Sequence, residues 1–195
     1  MVIIVEGKDD RNFFVALLND LKNNNEIDVQ DNINFDNYIE VMGGKSKLLD
    51  SNHTKYKKLK LKIDNDNIQK ILFIFDCDFK EDDKNCNGME NSEKCFDNLI
   101  KKLNWNIKID KSNNLHIFDK NLDYFLIETI NDKECYNDFD NLIKCLEVES
   151  IKPNKKPIAN LYRDLYPYPK FDFKDDKFQP LKQKLKNLFK KETNG

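Results

Sequence analysis

The sequence predicts an α/β fold with a mainly parallel sheet, helices on both of its faces and a helical C-terminal part. Three observations carry this. Short runs of continuous apolar residues recur, as strands buried on both faces require. Between them, apolar residues return at helical spacing. Strand and helix patterns alternate through the first two-thirds of the chain, which favours parallel crossover connections.

Val2 to Val5 is a β-branched run that ends at Glu6. The turn Glu6-Gly7-Lys8-Asp9 follows, and then Phe14, Leu17, Leu18 and Leu21 mark one helical face. Asp9 or Asp10 is available as its N-cap, and Asn23-Asn24-Asn25 ends it. A second strand is expected over Tyr38 to Val41, closed by Gly43-Gly44, with a lysine-rich helix within Lys45 to Lys62. Ile71 to Phe75 is the most apolar run and leads directly into Asp76-Cys77-Asp78. The polar stretch Lys80 to Asn91 reads as a loop. Phe96, Leu99, Ile100 and Leu103 then form a helical face with Ser92 as its N-cap. Ile107 to Ile109 and Leu115 to Phe118 are short strand candidates. From Leu122 the pattern turns helical, with faces at Phe139, Leu142, Ile143 and Leu146, and at Leu181, Leu185, Leu188 and Phe189; Pro153, Pro157, Pro167 and Pro169 punctuate the interval. The expected organisation is an α/β core over 1–120 and a helical extension over 121–195 packed on the same domain.

The 195 residues suffice to bury a core. The formal net charge of -2 gives no global positive field, although a local basic stripe is enough to hold nucleic acid. The densest such run is Lys55, Lys57, Lys58, Lys60 and Lys62, which follows a phosphate backbone or is simply a solvated helix face. The five cysteines form no CxxC pair, and with only His53 and His116 a zinc set is not expected. Reduced thiols in a cytoplasm are the simplest reading. The apolar run at the start is too short for a signal peptide or membrane span.

Parallel sheets place their sites at the carboxyl ends of the strands. Glu6 ends the first strand and Asp76 and Asp78 the third. At ~5 Å and an effective dielectric of ~20, each like-charge pair costs roughly 3 kcal/mol, which a proton or a cation relieves. Asp-x-Asp puts both side chains on one side of an extended chain, where they can share a hard ion such as Mg²⁺. Gly44-Lys45-Ser46 lacks the earlier glycine of a P-loop, since Ile39 stands there. A calcium loop fails because Glu81 occupies its glycine position.

Val5-Glu6-Gly7-Lys8-Asp9-Asp10, Gly43-Gly44-Lys45 and Phe75-Asp76-Cys77-Asp78 resemble the three signatures of the Toprim domain, found in topoisomerases, primases and OLD-family nucleases. The likeness is closest to a small stand-alone Toprim-like bacterial family, and extends through Leu126-Ile127-Glu128 and Phe178-Gln179-Pro180-Leu181-Lys182. It implies a Mg²⁺ site, with Mn²⁺ as a substitute. Asp76 and Asp78 would hold the ion. Glu6 would act as general acid/base or as ligand to a second ion, and Glu128 would be an additional ligand. Lys8 and Lys45 are phosphate-binding candidates, and Lys156 could neutralise phosphate charge, with solvated lysines as the bland alternative. The implied function is a metal-dependent nuclease or related phosphotransfer enzyme acting on DNA or RNA. The alternatives are a non-catalytic nucleic-acid or protein binding module and, less favoured, a small-substrate phosphatase. No membrane partner is expected; a protein partner or homo-oligomer is left open. A complete topoisomerase is disfavoured for want of room for clamp domains.

Overall fold

The computed structural model describes residues 1–80, 85–129 and 173–190, together with residues 134, 137, 138 and 141. Among the described residues, four parallel strands form one sheet: β1 (Val2–Val5), β2 (Ile39–Val41), β3 (Ile71–Asp76) and β4 (Leu115–Phe118), in the order β2-β1-β3-β4. The helices whose bounds lie among the described residues are α1 (Lys8–Asn23), α2 (Lys45–Leu48), α3 (Thr54–Asp64), α4 (Met89–Leu103), α5 (Lys111–Asn114), α6 (Leu122–Glu128) and α7 (Gln179–Phe189). The α/β class, the parallel sheet and the C-terminal helix are as the sequence predicts.

Strand periodicity divides the core. Ile3, Val5, Leu72 and Ile74 face one layer, with Phe13, Phe14 and Leu17 of α1 and Leu181 and Leu185 of α7. Val2, Ile4, Ile71, Phe73 and Phe75 face the other, with Tyr56 and Leu59 of α3 and Phe96 and Leu99 of α4. Alternate side chains point to opposite faces, so both must be apolar when helices cover both. This is why these strands are continuous apolar runs. The C-terminal residues Leu181, Leu185, Leu188 and Phe189 are buried in the first layer.

The topology also sends the helices after two adjacent strands to opposite faces. α1 leaves β1 on one face of the sheet, and α4 leaves the adjacent β3 on the other. Two neighbouring strands whose following helices diverge make a switch point at their carboxyl ends.

Several local expectations are corrected. The helix expected within Lys45 to Lys62 is two helices, because Asp50 to His53 form a turn. The Asp50 side chain accepts the Asn52 N–H at 2.9 Å, and His53 caps α3 by accepting the Lys55 N–H at 3.4 Å. Gly7, not Asp9 or Asp10, is the N-cap of α1. Gly88 is the N-cap of α4, leaving Ser92 buried within the helix. Ile107 and Ile109 form no strand; they pad the second core layer, while Leu115–Phe118 takes the place beside β3. Tyr38 lies in a 3₁₀ turn before β2. The face at Phe139, Leu142, Ile143 and Leu146 lies outside the described residues, as do the four prolines after it. Cys86 and Cys95 are joined by a disulfide, which corrects the expectation of reduced thiols for this pair; Cys77 is a buried free thiol, and Cys135 and Cys145 lie outside the described residues. No helix among the described residues is long and apolar enough to cross a membrane.

Candidate carboxylate site

The site forms where β1 and β3 end. Their register pairs Ile4 with Phe73, which brings Glu6, just past β1, and Asp76, at the end of β3, to the same edge of the sheet. The Asp76 N–H donates to Glu6 Oε1 at 2.8 Å. Asp76 Oδ1 in turn accepts the Leu122 N–H at 3.1 Å, at the first turn of α6. The second glycine-bearing loop closes over the same edge. The Gly43 and Gly44 N–H groups both donate to the Glu6 carbonyl, at 2.7 and 2.9 Å. Their φ values of 90° and 122° favour glycine, and at Gly44 a Cβ would meet nothing within 4 Å, so conformation and not space sets the requirement.

A fourth carboxylate joins the cluster. Asp10 lies in the first turn of α1, and its Oδ2 accepts the Gly7 N–H at 2.6 Å. Burial raises the Glu6 carboxyl to about 7, with the charges of Asp10 and Asp78 adding to the effect; the Asp76 N–H bond and Lys45 oppose it. Burial likewise raises Asp10 to about 6, against the Gly7 N–H bond and with the charges of Asp9 and Asp123. Asp76 is raised well above the carboxylate range by burial first, then by Glu6, Asp10 and Asp78. These carboxyl groups resist ionising together.

Asp78 differs from its neighbours. It turns into the left-handed region at φ 56°, which Asp tolerates better than most residues, and its N–H donates to the Lys120 carbonyl at 2.6 Å. Its side chain is 36% exposed, and Lys45 holds it. The Lys45 ammonium donates to Asp78 Oδ2 at 3.2 Å, to the Cys77 carbonyl at 2.8 Å and to Asn87 Oδ1 at 3.0 Å. All three of its protons are thus directed at oxygens. The residue between the two aspartates is packed as well: the Cys77 thiol is buried and accepts the Lys120 N–H at 3.0 Å.

Of the expected site residues, Glu6, Asp76 and Asp78 are brought together and Lys45 joins them, bound to protein oxygens. Lys8 is exposed on the first turn of α1. Glu128 is separated from them: it ends α6 six residues beyond Leu122, about 9 Å along the axis, and pairs with Lys177 at 3.1 Å. Lys156 lies outside the described residues. Asp10 and Asn87 escaped the sequence reading. Asp10 had a signal, since it stands one helical turn beyond Glu6 where strand passes to helix; Asn87 had none, because a loop contact leaves no periodicity.

Four carboxylates on one sheet edge are hard oxygen donors of the kind Mg²⁺ and Mn²⁺ take, so the donor chemistry fits. As the side chains stand, no three His, Cys, Asp or Glu among the described residues are arranged to hold an ion. Oxygens of Glu6, Asp10 and Asp76 are engaged by backbone N–H groups and one of Asp78 by Lys45. No family model, curated protein or solved structure matches the chain.

Proposed function

We propose that the chain is a Toprim-like, metal-dependent nuclease or related phosphotransfer enzyme acting on DNA or RNA. The observation that carries this reading is the cluster of Glu6, Asp10 and Asp76, whose carboxyl groups are raised together at the switch point of a parallel sheet. Glu6, Asp10, Asp76 and Asp78 would hold a divalent ion, Mg²⁺ or Mn²⁺. Such an ion, when bound, supplies charge stabilisation to a phosphoryl oxygen and a more acidic water.

The protein's own groups do the rest. Glu6 would serve either as ligand to the ion or, standing free of it, as general acid/base, with its carboxyl raised to about 7 by burial. Its link to the Asp76 N–H fixes its position relative to the neighbouring strand. Lys45 brings a positive charge to the cluster and holds Asp78 in its turn. Cytoplasmic location belongs to this reading. There a disulfide such as Cys86–Cys95 would be open to reduction.

The test is incubation of the purified chain with single- and double-stranded DNA and RNA in Mg²⁺ or Mn²⁺. Cleavage that needs the metal and disappears in Asp76→Ala supports the reading. Metal-independent cleavage, or cleavage unchanged in that variant, removes it.

A second reading has its own observation. The carboxylate oxygens are already engaged by N–H groups and by Lys45, an arrangement that suits a binding module without turnover. Nucleic-acid binding that persists in Glu6→Ala, with no cleavage in any metal, would favour it.

A further inference from the structure

The helices differ in how they use their charges. α1 and α4 are balanced, each with three basic and three acidic residues. α7 is lysine-rich, but its lysines turn inward: Lys182 pairs with Asp20 at 3.3 Å, Lys186 pairs with Glu26, and Lys184 donates to the Leu115 carbonyl. α3 has five lysines against the single carboxylate of Asp64. Among the described residues two of the five have acidic partners, Lys55 with Glu40 at 2.6 Å and Lys60 with Asp64 at 3.1 Å.

The other three share one stripe. Tyr56, Leu59 and Ile63 are buried against the sheet. Lys57, Lys58 and Lys62 are exposed on the opposite side, around Leu61, which is 64% exposed. Lys58 and Lys62 are four residues apart, so their like charges meet on the helix surface and oppose helix formation. A sequence indifferent to this face would intersperse acids, as α1 and α4 do.

The helix that carries the stripe begins beside the carboxylate site. The Lys55 ammonium, in the first turn of α3, donates to the Val41 carbonyl at the end of β2. Two residues on, the Gly43 N–H donates to the Glu6 carbonyl. α3 therefore starts at the carboxyl edge of the sheet and carries positive charge away from it. A negatively charged chain approaching four carboxylates is repelled, and a neighbouring cationic track offsets that repulsion.

We infer that Lys57, Lys58 and Lys62 of α3 form a phosphate-backbone track that holds nucleic acid beside the carboxylate site. This rests on the proposed function and adds the face by which the substrate is held. Contacts of this kind position a strand without reading its sequence. The track therefore binds DNA or RNA with little sequence preference.

The experiment measures binding of fluorescent single-stranded DNA and RNA oligonucleotides in EDTA, which prevents turnover, over a salt series. The full chain is compared with the triple variant Lys57→Glu, Lys58→Glu, Lys62→Glu, and with the milder triple variant to Gln. A control pair, Lys101→Glu and Lys102→Glu, reverses exposed charges near the end of α4. Three lost phosphate contacts should lower the slope of log K against log salt by about 2–3. We expect at least tenfold weaker binding at low salt in the Glu triple variant, an intermediate loss in the Gln variant, and less than threefold in the control. Circular dichroism showing an unchanged helix signal keeps folding out of the comparison. Equal losses in the control and the α3 variants, or an unchanged salt slope, would overturn the track. So would capture of an acidic protein in place of nucleic acid. Metal-dependent cleavage persisting beside such a result would leave the site reading standing, and its absence in the wild type would sink that reading separately.

Discussion

Glu6 and Asp76, seventy residues apart in the chain, are joined by a backbone-to-side-chain hydrogen bond of 2.8 Å. The bond ties the ends of β1 and β3, and it places two carboxylates that repel one another on the same edge. The cluster is thus built at a cost in stability.

Glu6→Gln should stabilise the fold at alkaline pH. The Glu6 carboxyl rises from its ordinary 4.5 to about 7 on folding, through burial first and then the Asp10 and Asp78 charges. Its contribution to stability is full below about pH 4.5 and is lost as pH rises through about 7. Gln removes the buried charge and keeps an oxygen for the Asp76 N–H. At ~1.4 kcal/mol per pH unit, reduced for coupling to Asp10 and Asp76, we expect a gain of about 1–3 kcal/mol at pH 8 and little change at pH 4. Urea unfolding at both pH values measures it; a loss at pH 8 would contradict the assignment.

Divalent-ion binding should release protons. With Glu6 near 7 and Asp10 near 6, part of the cluster is protonated at pH 6.5. An ion that takes these oxygens must displace those protons, so Mn²⁺ affinity falls as pH drops from 8 to 6. Titration calorimetry in two buffers of different ionisation enthalpy reads the proton count. A heat independent of buffer would mean that the ion binds elsewhere.

Lys45→Met should loosen the turn that carries Asp78. It removes three hydrogen bonds at once, to the Cys77 carbonyl, Asp78 and Asn87, and leaves oxygens facing an apolar chain. Breaking a buried pair costs roughly 3–5 kcal/mol, but Asp78 is 36% exposed and water can replace part of the loss. We expect about 1–3 kcal/mol of destabilisation, with faster amide exchange at Asp78 and Gly88. Unchanged exchange at both amides would show that Lys45 is not what holds the turn.

His116 should make the fold sensitive to mild acid. Its Nε2 is buried without a partner among the described residues, its ring packs edge-on against Phe118 with centroids 4.7 Å apart, and burial lowers its pKa from 6.5 to about 3. The unfolded chain takes up this proton below about pH 6.5 and the folded protein does not until about 3. The group's contribution is therefore lost as pH falls across that window. Between pH 7 and 5 the stability of the wild type relative to His116→Leu should drop by about 2 kcal/mol, at ~1.4 kcal/mol per pH unit. A difference that stays flat with pH would place the proton elsewhere.

Leu185→Ala should destabilise the whole fold and not only its C-terminal end. Leu185 is fully buried in the core layer shared with Phe14 and Leu17 of α1. Truncating a buried leucine costs about 2–5 kcal/mol. We expect one cooperative transition by both tryptophan fluorescence and circular dichroism, shifted to lower denaturant. Two separate transitions would show that α7 unfolds independently.

Most strands and the long helices are written in the chain, because burial on both faces appears as apolar runs and as spacings of three and four. Val2 to Val5, Ile71 to Phe75 and the faces at Phe14, Phe96 and Leu181 were legible for that reason. The chain also marks Glu6, Asp76 and Asp78, since an acid that ends an apolar strand stands out against its neighbours. Which of these meet is set by strand order and loop closure. Adjacency of β1 and β3 sets Glu6 against Asp76, and the fold of α1 brings Asp10 into the same cluster. Lys45 turned inward to three oxygens, while Glu128 was carried a helix length away to Lys177. These outcomes depend on strand order and loop closure, and contacts between distant segments leave no periodic trace in the chain that makes them.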